Sequence, residues 1–166
     1  MAIPFRRSLR LLPRVALALA QGKCQSSDVP DIAEFEHVVT GSERALTYCP
    51  RRVTIDDGTE IVHESLGGTL ASVWADDLGD RYVEVLHVGD GPTGGELVLV
   101  VPDLDVVVLG DLYATSADGA TPTWAGAVDL ALGLTTVTTK IFSSVGPVSR
   151  DELEAFHQRL LGVLHG

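Results

Sequence analysis

From residue 80 onward the apolar and polar positions fall into blocks with short polar breaks. Tyr82 to Val88 predicts a strand, and a glycine-rich loop follows, 89-GDGPTGG-95. Two more apolar runs, Glu96 to Val101 and Val106 to Leu109, flank 102-PDLD-105. So short a link between strands implies a hairpin, hence antiparallel pairing. Runs that lack alternation are covered on both faces, which predicts another sheet on one side and helices on the other. After 114-ATSADGATPT-123, Trp124 to Leu132 has apolar groups at helical spacing, with Gly133 as a helix end. The β-branched stretch 135-TTVTTKIFS-143 predicts a strand. Ser149 and Glu152 form a capping-box pair ahead of a final helix, whose buried stripe is Leu153, Phe156, Leu160, Val163 and Leu164.

Upstream the pattern is weaker. His37 to Thr40 and Val53 to Ile55 read as short strands, with 56-DDGT-59 as a turn and 60-EIVHES-65 as a third, weaker strand. The segment 69-TLASVWA-75 fits helix or strand equally by periodicity. Asp76, Asp77 and Asp80 lack the spacing of a calcium loop and read as a solvated turn. No internal repeat or low-complexity tract interrupts this order, and residues 32–166 read as a single domain.

The chain of 166 residues, 45% apolar and 21% charged, has the make-up of one ordinary globular unit. Its net charge of −11 is unevenly spread. Residues 1–27 hold Arg6, Arg7, Arg10, Arg14 and Lys23 and no acid, leaving 7 basic against 23 acidic residues in the rest. So acidic a body repels phosphate backbones, which argues against nucleic-acid binding.

The basic segment 4-PFRRSLRLLPRVALALAQGK-23 has three readings. A secretory signal needs an unbroken apolar core, and Pro13 and Arg14 interrupt this one. A transit-type presequence fits the arginine-rich, acid-free composition. The reading that fits best is an amphipathic helix that docks on its own domain, on a second copy or on a protein partner through residues 5–20. Arg7, Arg10 and Arg14 then share one side, and Phe5, Leu9, Leu12, Val15 and Leu19 share another. A membrane surface needs more apolar area than this helix offers. Cys24 and Cys49 fit no zinc or CxxC pattern and are expected as free thiols in a cytoplasmic protein; they would pair if the chain were exported or sent to an organelle.

The run of strand, glycine-rich loop, hairpin ending in Gly-Asp, helix, strand, Gly-Pro loop and helix resembles the C-terminal half of the metallo-β-lactamase superfamily, in its broad metallohydrolase branch. The stretches that carry the likeness are 85-VLHVGDGPTGGELVLV-100, 110-GD-111 and 143-SSVGPV-148, within residues 80–164. It implies an α/β fold: a trimmed αββα sandwich with mixed or antiparallel sheets and a C-terminal helix. It also implies a site at Asp111, where the family has a metal-bridging carboxylate, rimmed by Gly89, Asp90, Thr93, Gly94, Val145 and Gly146.

The metal-binding histidines of the family are missing from their positions. Pro92 and Val145 stand where two of them are expected, and no His-x-His pair occurs anywhere. A hydrolytic zinc takes three protein ligands and one open position. His37, His63, His87, His157 and His165 are scattered, no two closer than eight residues. The residues therefore point to a non-catalytic relative without cofactor, acting as a binding or interaction subunit, in which Asp111 survives as a turn residue. Two alternatives stay open: a zinc-dependent hydrolase completed at Asp111 by unconventional ligands or by a partner, and a binder of small molecules in the emptied pocket. No Ser sits in a Gly-x-Ser-x-Gly elbow, and the loop 89–95 lacks the lysine and the following helix of a phosphate cradle.

Overall fold

The computed structural model describes residues 36–67 and 72–166. The basic segment, Cys24 and the first part of 69–75 lie outside them. Strands β1 (His37–Thr40), β2 (Ala45–Cys49), β3 (Arg52–Ile55) and β4 (Glu60–Ile61) make a four-stranded antiparallel meander. A second sheet holds β5 (Ser72–Asp77), β6 (Tyr82–His87), β7 (Val98–Val101), β8 (Val106–Gly110), β9 (Lys140–Ser143) and β10 (Gly146–Val148), in the order β10-β9-β8-β7-β6-β5. Only β8 and β9 pair in parallel there, joined through helix α1 (Pro122–Gly133); α2 (Arg150–His165) closes the chain. The described residues thus form a mixed α/β structure with two sheets and two helices. No helix among the described residues is long and apolar enough to cross a membrane.

Three layers follow from which residues share a face. In the second sheet Val85, Leu99, Val108 and Phe142 stand side by side across four strands and meet Leu46, Tyr48, Val53 and Ile55 of the meander. On the opposite face Leu86, Val98, Val107, Leu109 and Ile141 pack on Trp124, Val128, Leu153, Phe156 and Leu160 of the helices. The central strands are therefore apolar on both sides, as their composition predicts.

The hairpin β7–β8 forms as expected, with Pro102–Leu104 as a 3-10 turn and Asp105 in the left-handed region at φ 51°. Ser149 and Glu152 form the predicted capping box, and Leu153, Phe156 and Leu160 are buried. Val163, expected in that stripe, is 54% exposed, whereas its neighbour Leu164 is half-buried and packs against the core.

Other expectations are corrected. Strand β2 lies where no element was expected. Residues 60–65 give only a two-residue strand before a 3-10 turn at His63–Leu66. Ser72–Asp77 is a strand, so Asp76 and Asp77 are not in a turn; Asp76 instead accepts a 2.6 Å bond from Arg44. The run 135–143 is strand only from Lys140, and Gly146–Val148 pairs with β9 rather than forming a loop. Cys49 is disulfide-bonded, not a free thiol.

Candidate functional site

Strands β2, β6, β8 and β9 all deliver their C-terminal ends to one edge of the two sheets. Four connections meet there: the Pro50 turn, the loop 89–95, the Gly110-Asp111 turn and the Ser144-Val145 turn. Backbone bonds tie them together. Leu97 N–H donates to the Pro50 carbonyl at 2.7 Å, and Ser144 N–H to the Gly110 carbonyl at 3.0 Å. The indole N–H of Trp124 donates to the Leu112 carbonyl at 2.9 Å and holds the chain just after Asp111.

Glu96 is the centre of the loop 89–95. Its carboxylate is 0% exposed and accepts the backbone N–H groups of Gly91 at 2.8 Å, Thr93 at 2.7 Å and Gly94 at 3.1 Å, and the Thr93 hydroxyl at 2.8 Å. Asp90 accepts Gly95 N–H at 2.9 Å and closes the loop from the other side. A buried carboxylate needs such partners, since an unpaired one is far costlier than a neutral polar group. The loop does cradle an anion, and the anion is the chain's own. Gly91 is required by closeness: a Cβ there would lie 2.9 Å from both a Glu96 carboxylate oxygen and Leu112.

Beneath the loop, the Tyr48 hydroxyl donates to the Leu97 carbonyl at 2.7 Å. Burial pushes the Tyr48 phenol well above its ordinary pKa, and the negative charges of Asp111 and Glu96 push the same way. The phenol therefore stays a protonated donor. Gly110 turns at φ +55° directly over it, and a Cβ at Gly110 would stand 2.4 Å from the Tyr48 oxygen and 2.9 Å from Pro50. The Gly-Asp turn is thus fixed by what lies under it as well as by the chain reversal.

Two histidines far apart in sequence meet at the loop's mouth. His63 and His87 have ring centroids 5.3 Å apart. His87 Nδ1 lies 3.0 Å from the Glu96 carbonyl, an acceptor only, so this nitrogen bears the proton and Nε2 faces Asp90 at 3.9 Å. His63 Nδ1 is 3.0 Å from the Glu64 carboxylate.

The expected site residues divide into two groups. Gly89, Asp90, Thr93 and Gly94 lie in the loop around Glu96. Val145 and Gly146 adjoin Asp111 through Ser144 but are turned to their own strand: Ser143 Oγ donates to the Gly146 carbonyl at 2.9 Å and accepts Val145 N–H at 3.3 Å. The Val145 side chain is 57% exposed. Asp111 is half-buried. Among the described residues, no group of three or more His, Cys, Asp or Glu side chains is placed to hold a metal ion. Sequence reasoning missed Glu96, Tyr48 and the His63–His87 contact. One signal was present for Glu96, a lone acid at the head of a run covered on both faces.

No family model matches the chain, and no curated protein matches it.

Proposed function

We propose that this chain is a trimmed, non-catalytic relative of the metallo-β-lactamase superfamily, kept as a binding or interaction subunit. The observation that carries the reading is the Glu96 carboxylate. It takes three amides and a hydroxyl of the loop that, in the family's pattern, presents a ligand to metal. Those donors are spent inside the protein. Tyr48 fills the space under the Gly110-Asp111 turn, and Val145 presents an aliphatic side chain where a histidine is expected. The mixed α/β class of the described residues, with two sheets and two helices, is compatible with this reading, though one fold hosts many functions.

The reading is tested by metal stoichiometry on tag-free protein purified without chelator and then supplied with zinc, beside an Asp111→Ala variant. Less than about a tenth of an equivalent in both is the expected result. Near one equivalent, lost in the variant, overturns it and makes hydrolase assays the next step. A second reading, a zinc-dependent hydrolase with an unconventional site, is favoured by the His63–His87 approach, which brings two imidazoles together beside Asp90. It requires metal uptake that a His63→Ala, His87→Ala double variant abolishes. Two imidazoles are one ligand short of a hydrolytic zinc.

A further inference from the structure

Strand β5 is the end strand of the second sheet, and β6 is its one neighbour there among the described residues. The direction of its backbone groups follows from the turn into β6. Leu78 N–H donates to the Arg81 carbonyl at 2.8 Å, which makes these two a hydrogen-bonded pair. In an antiparallel ladder such pairs alternate with open ones. Counted back along the register, Asp76, Trp74 and Ser72 face β6 with their backbone groups, whereas Asp77, Ala75 and Val73 point N–H and C=O away from it.

At Asp77 those outward groups are taken. Its N–H donates to the Asp76 carboxylate at 2.8 Å, and its carbonyl accepts the Arg44 guanidinium. At Val73, 51% exposed, and at the exposed Ala75, no described strand pairs with them. Edges of this kind are commonly blunted by Lys, Pro or a bulge. The register from Ser72 to Asp77 has no bulge, and the strand has neither residue.

We propose that β5 pairs antiparallel with β5 of a second copy, about a two-fold axis through Trp74, so that two six-stranded sheets become one. The open groups fit this register. Val73 then lies opposite the partner's Ala75, and Ala75 opposite the partner's Val73. The two symmetric pairs form four bonds that use the outward N–H and C=O of Val73 and Ala75 in both copies. An axis through Ala75 would set Val73 against the partner's Asp77, whose groups Asp76 and Arg44 already hold.

Charge selects the same register. With the axis at Trp74 the two Asp76 positions stand four residues apart along the joint, about 14 Å, beyond the Debye length of about 8 Å at physiological salt. With the axis at Ala75 they would approach to about 8 Å. Trp74 is partly buried against the core between the sheets. In the dimer it faces the partner's Trp74 at an open pair, where Cα atoms come within about 4.5 Å, and each indole covers the other. The joint is short, roughly 1,000 Å² or less in total, so a dimer half-formed at about 10–100 µM is expected. This pairing does not depend on whether Asp111 binds metal.

The test uses the full chain, in sedimentation velocity from about 1 to about 500 µM. A monomer–dimer equilibrium is expected. Hydrogen exchange read by NMR is expected to slow at least about tenfold at the Val73 and Ala75 amides between the dilute and the concentrated sample, with Asp77 N–H, held within the chain, unchanged. Ala75→Pro removes an N–H that points away from β6 and is expected to raise the dissociation constant at least about tenfold. Urea unfolding reports that the variant still folds. Should it not, Val73→Lys, which sets two like charges beside the axis, gives the same comparison. A monomer at every concentration overturns the proposal. So does a dimer that both variants leave intact, or protection of Val73 and Ala75 that is equal at both ends of the series, which would mean that the chain covers its own edge.

Discussion

Thr93 meets Glu96 twice, its backbone N–H at 2.7 Å and its hydroxyl at 2.8 Å from the same carboxylate oxygen. Bonds to a charged acceptor are worth about 1.5–3 kcal/mol each, and a donor left unmatched in a buried place costs a similar amount. Glu96→Gln keeps the shape but turns one acceptor into a donor facing N–H groups. A loss of roughly 2–4 kcal/mol in urea unfolding is expected, with the denaturant slope unchanged. A loss under about 0.5 kcal/mol would mean that water serves the loop amides as well as the carboxylate does.

Gly110 and Tyr48 form a second coupled pair. Gly110→Ala is strained twice, by a positive φ that L-residues disfavour and by the 2.4 Å approach of its Cβ to the Tyr48 oxygen. A cost of about 2–4 kcal/mol is expected. Tyr48→Phe alone costs about 1 kcal/mol through the bond lost to Leu97. Because the phenylalanine removes the nearer of the two clashes, leaving only that with Pro50 at 2.9 Å, the double variant is expected to lose at least about 1 kcal/mol less than the two single losses together. Simple additivity in a double-mutant cycle would remove the steric explanation.

What the sequence disclosed follows a physical line. Elements whose signal is local were legible: the Ser149–Glu152 box, the Pro102–Asp105 turn, the helix ending near Gly133, and central strands apolar enough to demand cover on both sides. Features made by distant partners were not. The threonines at 135–139 read as a strand because β-branching favours one. In the fold, Thr138 and Thr139 donate to Asp105 at 2.7 Å, and Thr136 N–H bonds the Thr139 hydroxyl, making a turn that leaves Val137 91% exposed. Strand β2 was hidden by length, five residues between Arg44 and Pro50, although Leu46 and Tyr48 alternate as a strand should. At the candidate site the glycines of 89–95 were visible and their purpose was not. Glu96 and the His63–His87 contact exist only once the loop has closed.

The capping box of α2 gives a smaller, cleaner prediction. Ser149 Oγ accepts Glu152 N–H at 3.2 Å, and Ser149 N–H donates to the Glu152 carboxylate at 2.7 Å. That backbone bond, followed by the one from the hydroxyl, holds the Glu152 carboxyl below its usual pKa. Ser149→Ala is expected to cost about 1 kcal/mol, seen as a fall of about 2–4 °C in Tm for a chain of this size. An unchanged Tm would show that the packing of Leu153, Phe156 and Leu160 orders the first turn without its cap.

His37 sets the response to acid. Its ring lies on the inner face of the meander, 5.7 Å from Phe142 and 6.1 Å from Tyr48 between centroids, and burial lowers its pKa from 6.5 to about 4. The folded state therefore holds the ring neutral while the unfolded chain takes up a proton near pH 6.5. Stability from this residue is complete above that pH, declines as pH falls, and is lost once pH passes the folded value. Between pH 7.5 and 5 the loss amounts to about 2 kcal/mol, before carboxylates with lowered pKa such as Asp57, Asp76 and Asp105 begin to contribute. His37→Phe keeps an aromatic ring between Tyr48 and Phe142 and removes the titration. Urea unfolding at pH 7.5, 6 and 5 is expected to show a sloping stability for the native chain and a flatter one for the variant. Parallel slopes would place the acid sensitivity elsewhere, and an NMR titration of His37 with its midpoint near 6.5 would show that the meander does not exclude water from this ring.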